Sequence, residues 1–132
     1  MIEISKLIDH TNLKQDAIKS EITQLCEQAI TFGFASVCVN PVHVELVSSI
    51  LKDEIPKTCT VIGFPLGADP VEMKFAETRF LVHQGAEELD MVMNMGAFKE
   101  GEFELIYEEI GQVIDASDGR CVKVIIETCL LT

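Results

Sequence analysis

The sequence predicts an α/β fold built on a parallel sheet of the barrel type, and three observations carry that prediction. Short apolar runs alternate with stretches of helical spacing along the chain, which is how parallel strands joined by helical crossovers read. The run Leu89-Asp90-Met91-Val92-Met93 is nearly all apolar, as a strand covered on both faces is, yet it holds one acid. With a period of two, the strands turn apolar residues to one side, while the other collects a lysine, acids, amides and a thiol. A polar interior of this kind suits a barrel converging on a site better than a sheet covered by helices on both faces.

Ile4 to Ile8 reads as a short helical turn and Asp9-His10-Thr11-Asn12-Leu13 as a first, polar strand. From Asp16 to Phe32, apolar Ile18, Ile22, Leu25, Cys26, Ala29 and Ile30 recur at helical spacing, and Gly33 supplies the stop. Ala35 to Asn40 is the second strand, ended by Pro41, and Val42 to Leu51 the next helix. Thr58 to Phe64 forms the third strand, opening into Pro65-Leu66-Gly67-Ala68-Asp69-Pro70. Val71 to Gln84 is helical, with Met73, Phe75, Ala76, Phe80, Leu81 and Val82 set among charges. Gly85-Ala86 turns into the fourth strand, Phe103 to Ala116 is a helix, and Gly119 leads into a fifth strand, Cys121 to Thr128. Nothing reads as a linker, so residues 1–132 are expected to form a single domain.

Charge narrows the function classes. Twenty-two acids against 10 bases give a net charge of −12, which repels nucleic acid and anionic membrane surfaces. No apolar run approaches the roughly 20 residues that span a bilayer. Met1-Ile2-Glu3-Ile4 lacks the layout of a signal peptide, so the reading is cytoplasmic. The five cysteines include no CxxC pair and suit a reducing compartment. His10, His43 and His83 stand apart, so sequence spacing offers no metal site, and no cofactor is expected. There is no GxGxxG or P-loop, and Phe64-Pro65-Leu66-Gly67 has no lysine to complete a phosphate cradle.

Asp90 needs a partner, because an unpaired buried carboxylate is costly. In strand five, Val122, Val124 and Ile126 form an apolar face, while Lys123, Ile125 and Glu127 lie opposite. Strand two gives Ser36, Cys38 and Asn40 to the polar side, and strand four gives Asp90 and Asn94. Neighbouring strands four and five place Lys123 within reach of Asp90. The pair reads equally as a structural ion pair or as a proton-transfer pair. Cys38 reads as a small core thiol, Asp9 as a cap or turn residue, and Met91, Met93 and Met95 as core filling. The three histidines have no visible partner.

Five motifs in order carry a resemblance. Leu7-Ile8-Asp9-His10-Thr11, Ala35-Ser36-Val37-Cys38-Val39-Asn40-Pro41, Val61-Ile62-Gly63-Phe64-Pro65-Leu66-Gly67, Glu88-Leu89-Asp90-Met91-Val92 and Val122-Lys123-Val124-Ile125-Ile126-Glu127-Thr128 together resemble the deoxyribose-phosphate aldolases, from end to end. The resemblance implies a partial TIM (β/α)8 barrel of about five parallel strands with flanking helices. It implies class I chemistry, the reversible cleavage of 2-deoxyribose 5-phosphate to glyceraldehyde 3-phosphate and acetaldehyde through a lysine Schiff base, without a metal. Asp90 matches the aspartate that relays protons, and Lys123 the lysine paired with it. Asp9, Cys38 and Phe64 match residues lining the substrate pocket.

In the family a strand-six lysine forms the imine and a strand-seven lysine lowers its pKa, whereas this sequence stops near the end of strand five. Lys123, held by a carboxylate, stays protonated and is a poor nucleophile. The departure sets an alternative expectation: a catalytically inactive truncated barrel that associates with copies of itself through open sheet edges. A fragment of another phosphosugar lyase is a third reading.

Overall fold

Five strands lie side by side in chain order, all parallel: β1 (Asp9–Asn12), β2 (Ser36–Val39), β3 (Lys57–Ile62), β4 (Glu88–Val92) and β5 (Cys121–Ile125). The computed structural model describes residues 3–131. The crossovers carry α1 (Lys19–Phe32), α2 (Val44–Ile50), α3 (Val71–His83), α4 (Met95–Glu100) and α5 (Phe103–Ala116). A strand order that never reverses belongs to consecutive (β/α) units of a barrel, whereas a doubly wound sheet reverses at a switch point. Curvature agrees with order. Laid flat, β1 and β5 would stand roughly 19 Å apart at the usual strand spacing, yet Asp9 Oδ2 and Lys123 Nζ meet at 2.7 Å.

The outer face of the sheet is the apolar one. Val37, Val39, Ile62, Leu89 and Met91 are fully buried with Ile22, Leu25, Cys26 and Ala29 of α1, Val44 and Val47 of α2, Leu81 of α3 and Val113 of α5. The first of these helices shows how local signals set its ends. The Ile18 backbone N–H donates to Glu21 Oε2 at 2.9 Å, and Gly33, in the left-handed region at φ 64°, donates its N–H back to Ala29 and Ile30. Among the described residues no helix is long and apolar enough to cross a membrane.

The structure departs from the expected elements in four places. β4 ends at Val92, so Asn94 does not join Asp90 on the inner face; it caps α4, its side chain accepting from the Ala97 N–H at 3.1 Å. This short helix has no counterpart in the sequence reading, because Met95 to Glu100 is too brief to show a period. β5 ends at Ile125: Glu127 takes φ 42°, and Thr128–Leu130 coil into a 3-10 turn, so Glu127 leaves the strand face. In α3 the buried side is Lys74, Thr78 and Leu81, while Met73 and Phe80 are 61% and 59% exposed.

Candidate active site

Val122 and Val124 pack outward against the apolar core, which leaves Lys123, between them on β5, on the inner face. Register sets it against Asp90 on β4. Its Nζ lies 3.2 Å from Asp90 Oδ1, 3.1 Å from Glu88 Oε2 and 2.7 Å from Asp9 Oδ2. The expected partner Asp90 is therefore present, but it is one of three carboxylates around a single ammonium. Asp9, expected as a cap or turn residue or by resemblance as a pocket residue, makes the shortest contact. Its other oxygen accepts from Ser36 Oγ at 2.7 Å.

These contacts decide the charge states. Burial alone would raise the Asp9 carboxyl, but the hydrogen bonds from Lys123 and Ser36 hold it below its ordinary 3.8. Burial alone would lower the Lys123 ammonium, but the bond to Asp9 and the charges around it hold it well above 10.5. Lys123 is thus an ammonium at neutral pH: it can donate a proton and fix negative charge, and it is a poor nucleophile. Asp90 Oδ1 is enclosed and has no hydrogen bond of good geometry among the described residues, so only the ammonium beside it offsets its burial.

Beneath this cluster lie two thiols. Cys38 on β2 and Cys59 on β3 are register partners, buried with Val61 and packed by Leu13. Cys59 Sγ stands 4.0 Å from Lys123 Nζ, and the interaction of its S–H with the neighbouring Cys38 sulfur, together with burial, drives its pKa far up. Cys38 Sγ, Cys59 Sγ and an Asp90 oxygen all fall within 4.8 Å of one another. Sequence spacing could not display this group, because parallel register assembles it from three strands. Phe64 stands apart from the cluster, on the loop after β3, where it lines a cavity of about 240 Å³ with Gly63, Pro65, Leu66, Ala68 and Asp69. A cavity of about 660 Å³ opens at the other end of the strands and shares only Glu88 with the lysine cluster.

Two further residues escaped the sequence reading. Lys74 and Glu109 form a salt bridge with almost no exposure. The lysine also donates to Gly67 O at 2.8 Å and Val92 O at 2.9 Å, and Glu109 Oε2 accepts from the Asn94 N–H at 3.0 Å. The pair thereby ties the β3–α3 loop to the end of the strand that carries Asp90. A signal for it exists in the sequence: Glu109 stands in one helical stripe with Ile106, Val113 and Ala116. His10 also has a partner, Gln28 Oε1 at 2.8 Å from Nε2.

Comparison with known proteins places these observations. The family model described as DeoC/LacD family aldolase matches residues 4–132. A deoxyribose-phosphate aldolase of Clostridium perfringens (strain SM101 / Type A) is 50% identical over 131 residues, which are 98% of this chain and 58% of that protein. One from Geobacillus sp. (strain WCH70) is 53% identical over 130 residues, again 98% and 58%. Among solved structures, a putative deoxyribose-phosphate aldolase from Coccidioides immitis superposes with a TM-score of 0.95 at 37% identity, covering 98% of this chain and 51% of that one. The tetrameric deoxyribose phosphate aldolase from Aeropyrum pernix gives 0.87 at 32% identity, covering 96% and 53%. The chain thus spans a little over half the length of the relatives it matches.

Proposed function

Because the chain belongs to the DeoC/LacD aldolase family, we propose that the protein acts in the reversible retro-aldol cleavage of 2-deoxyribose 5-phosphate to glyceraldehyde 3-phosphate and acetaldehyde. The observation that carries the reading is the Lys123 ammonium held by three carboxylates on the concave side of the sheet. In this proposal Asp90 moves protons to and from the reacting carbon and oxygen, and Lys123 sets its charge and position. Asp9 orients Lys123, while Cys38 and Phe64 border the space for the sugar. The nucleophilic amine is a lysine other than Lys123, which is held protonated. The substrate is a small phosphosugar or aldehyde, handled in the cytoplasm.

The test has two parts. Borohydride reduction in the presence of acetaldehyde, followed by peptide mapping, should leave Lys123 unmodified. A longer polypeptide carrying this segment should release acetaldehyde from 2-deoxyribose 5-phosphate and lose that activity in Asp90→Asn and Lys123→Met while staying folded. Labelling of Lys123, or turnover unchanged in both variants, defeats the assignment. A second reading, a chain without aldolase activity that associates with itself, rests on the unpaired outer edges of β1 and β5. Sedimentation of the 132-residue chain across a range of concentrations tests it; a monomer throughout would end it.

A further inference from the structure

We infer that Cys38, Cys59 and Asp90 form a binding site for a thiophilic divalent cation of the zinc group. The proposal goes beyond the aldolase reading and does not depend on it. Its basis is a convergence of three donors from three adjacent strands, all within 4.8 Å of one another. A tetrahedral ion with sulfur at about 2.3 Å and oxygen at about 2.0 Å needs donor separations of roughly 3.5 to 4 Å, within the reach of small side-chain rotations. Both cysteines are free and buried, so neither sulfur is committed to a disulfide or lost to solvent.

Charge favours a cation at this place. Asp9, Glu88 and Asp90 surround one ammonium, which leaves an excess of negative charge on the inner face. Asp90 Oδ1 is enclosed without a hydrogen bond among the described residues, so it has coordination capacity to give. Two sulfur donors select a soft or borderline ion over magnesium or calcium. Lys123, at 4.0 Å from Cys59 Sγ, opposes the ion, but Asp9 and Glu88 can keep the ammonium while Asp90 turns to the metal. Each thiol releases its proton to solvent as its sulfur takes the ion. Occupancy therefore withdraws Asp90 from Lys123.

The experiment is a titration of the reduced, purified chain with Cd²⁺, in a Cys121→Ser/Cys129→Ser background that removes the two exposed thiols. We expect the ultraviolet band of cadmium–thiolate charge transfer to saturate at one ion per chain. The band should be lost in Cys38→Ser and in Cys59→Ser. No band, or one that survives both substitutions, overturns the site. Should a serine variant fail to fold, the unaltered cysteines carry the test: Zn²⁺ should slow alkylation of Cys38 and Cys59, mapped by mass spectrometry, and equal rates with and without Zn²⁺ overturn it. Neither readout uses turnover, so failure here and failure of the aldolase reading are distinguishable.

Discussion

Asp9 Oδ2 lies 2.7 Å from Lys123 Nζ across 114 positions of sequence, although the two residues stand on opposite edge strands of the sheet. A side-chain bond from first strand to last is open only to a curled sheet, so the fold and the charge cluster depend on the same curvature.

That bond has a signature in both acid and base. The Asp9 carboxyl is held below 3.8 in the fold, so its contribution to stability is complete above 3.8 and fades as pH falls through the lower folded value. Lys123 is held above 10.5, so its contribution is complete below 10.5 and fades as pH rises through the folded value. Urea midpoints measured across pH should show a shallower acid limb in Asp9→Asn and a shallower alkaline limb in Lys123→Met. Limbs parallel to those of the parent chain would refute the coupling.

The Lys74–Glu109 pair should behave as a buried ion pair, strong against removal of one member. Lys74→Met or Glu109→Gln is expected to cost about 3 to 5 kcal/mol, because the remaining charge or its backbone partners lose their compensation. Lys74→Met combined with Glu109→Gln should cost less than the sum of the two single changes. Full recovery is not expected, since Gly67 O and Val92 O then lose their partner. Denaturant unfolding of the four chains measures the coupling, and strict additivity would contradict it.

Two glycines with nearly the same backbone angle should differ in cost. Gly33, at φ 64°, has open space around an added Cβ, so Gly33→Ala pays only the left-handed strain of about 1 to 2 kcal/mol. At Gly67, φ 65°, the added Cβ would sit 2.3 Å from Met93 O and 2.8 Å from Val92 Cγ1. Gly67→Ala must therefore also push β4 and the loop apart. Equal unfolding midpoints for the two variants would show that the loop yields freely.

Thiol reactivity should divide the cysteines by position. Cys121 and Cys129 are exposed and should alkylate first at neutral pH. Cys26 lies on the buried face of α1, where burial and then the charge of Glu27 push its thiol up to about 11, and Cys38 and Cys59 are buried beside each other. Time-resolved peptide mapping should find the two exposed cysteines modified before any of these three. Early labelling of Cys26 would mean that α1 opens readily from the sheet.

The strands and long helices were legible because their periods are local: every strand was anticipated, and α5 was bounded at Phe103 and Ala116. Asp90 and Lys123 could be paired from sequence because they occupy the same face of neighbouring strands. Glu88 was hidden for a different reason: it lies one pleat below Asp90, and only the slant of Lys123 across the sheet brings it in. Asp9 was undervalued because its partner depends on curvature, which no local pattern records. Lys74 was masked by the apolar residues beside it, Met73 and Phe75, which looked like the buried side of α3.

The Lys74–Glu109 pair also bears on the order in which the molecule can be made. Synthesis runs from the N-terminus, and the carboxylate is added 35 residues after the ammonium, a wait on the order of 2 to 7 s at usual translation speeds. During that interval a settled α3 would bury a cation with no counter-charge. The nascent chain can pair its first strands, but α3 keeps Lys74 in water until α5 has left the ribosome.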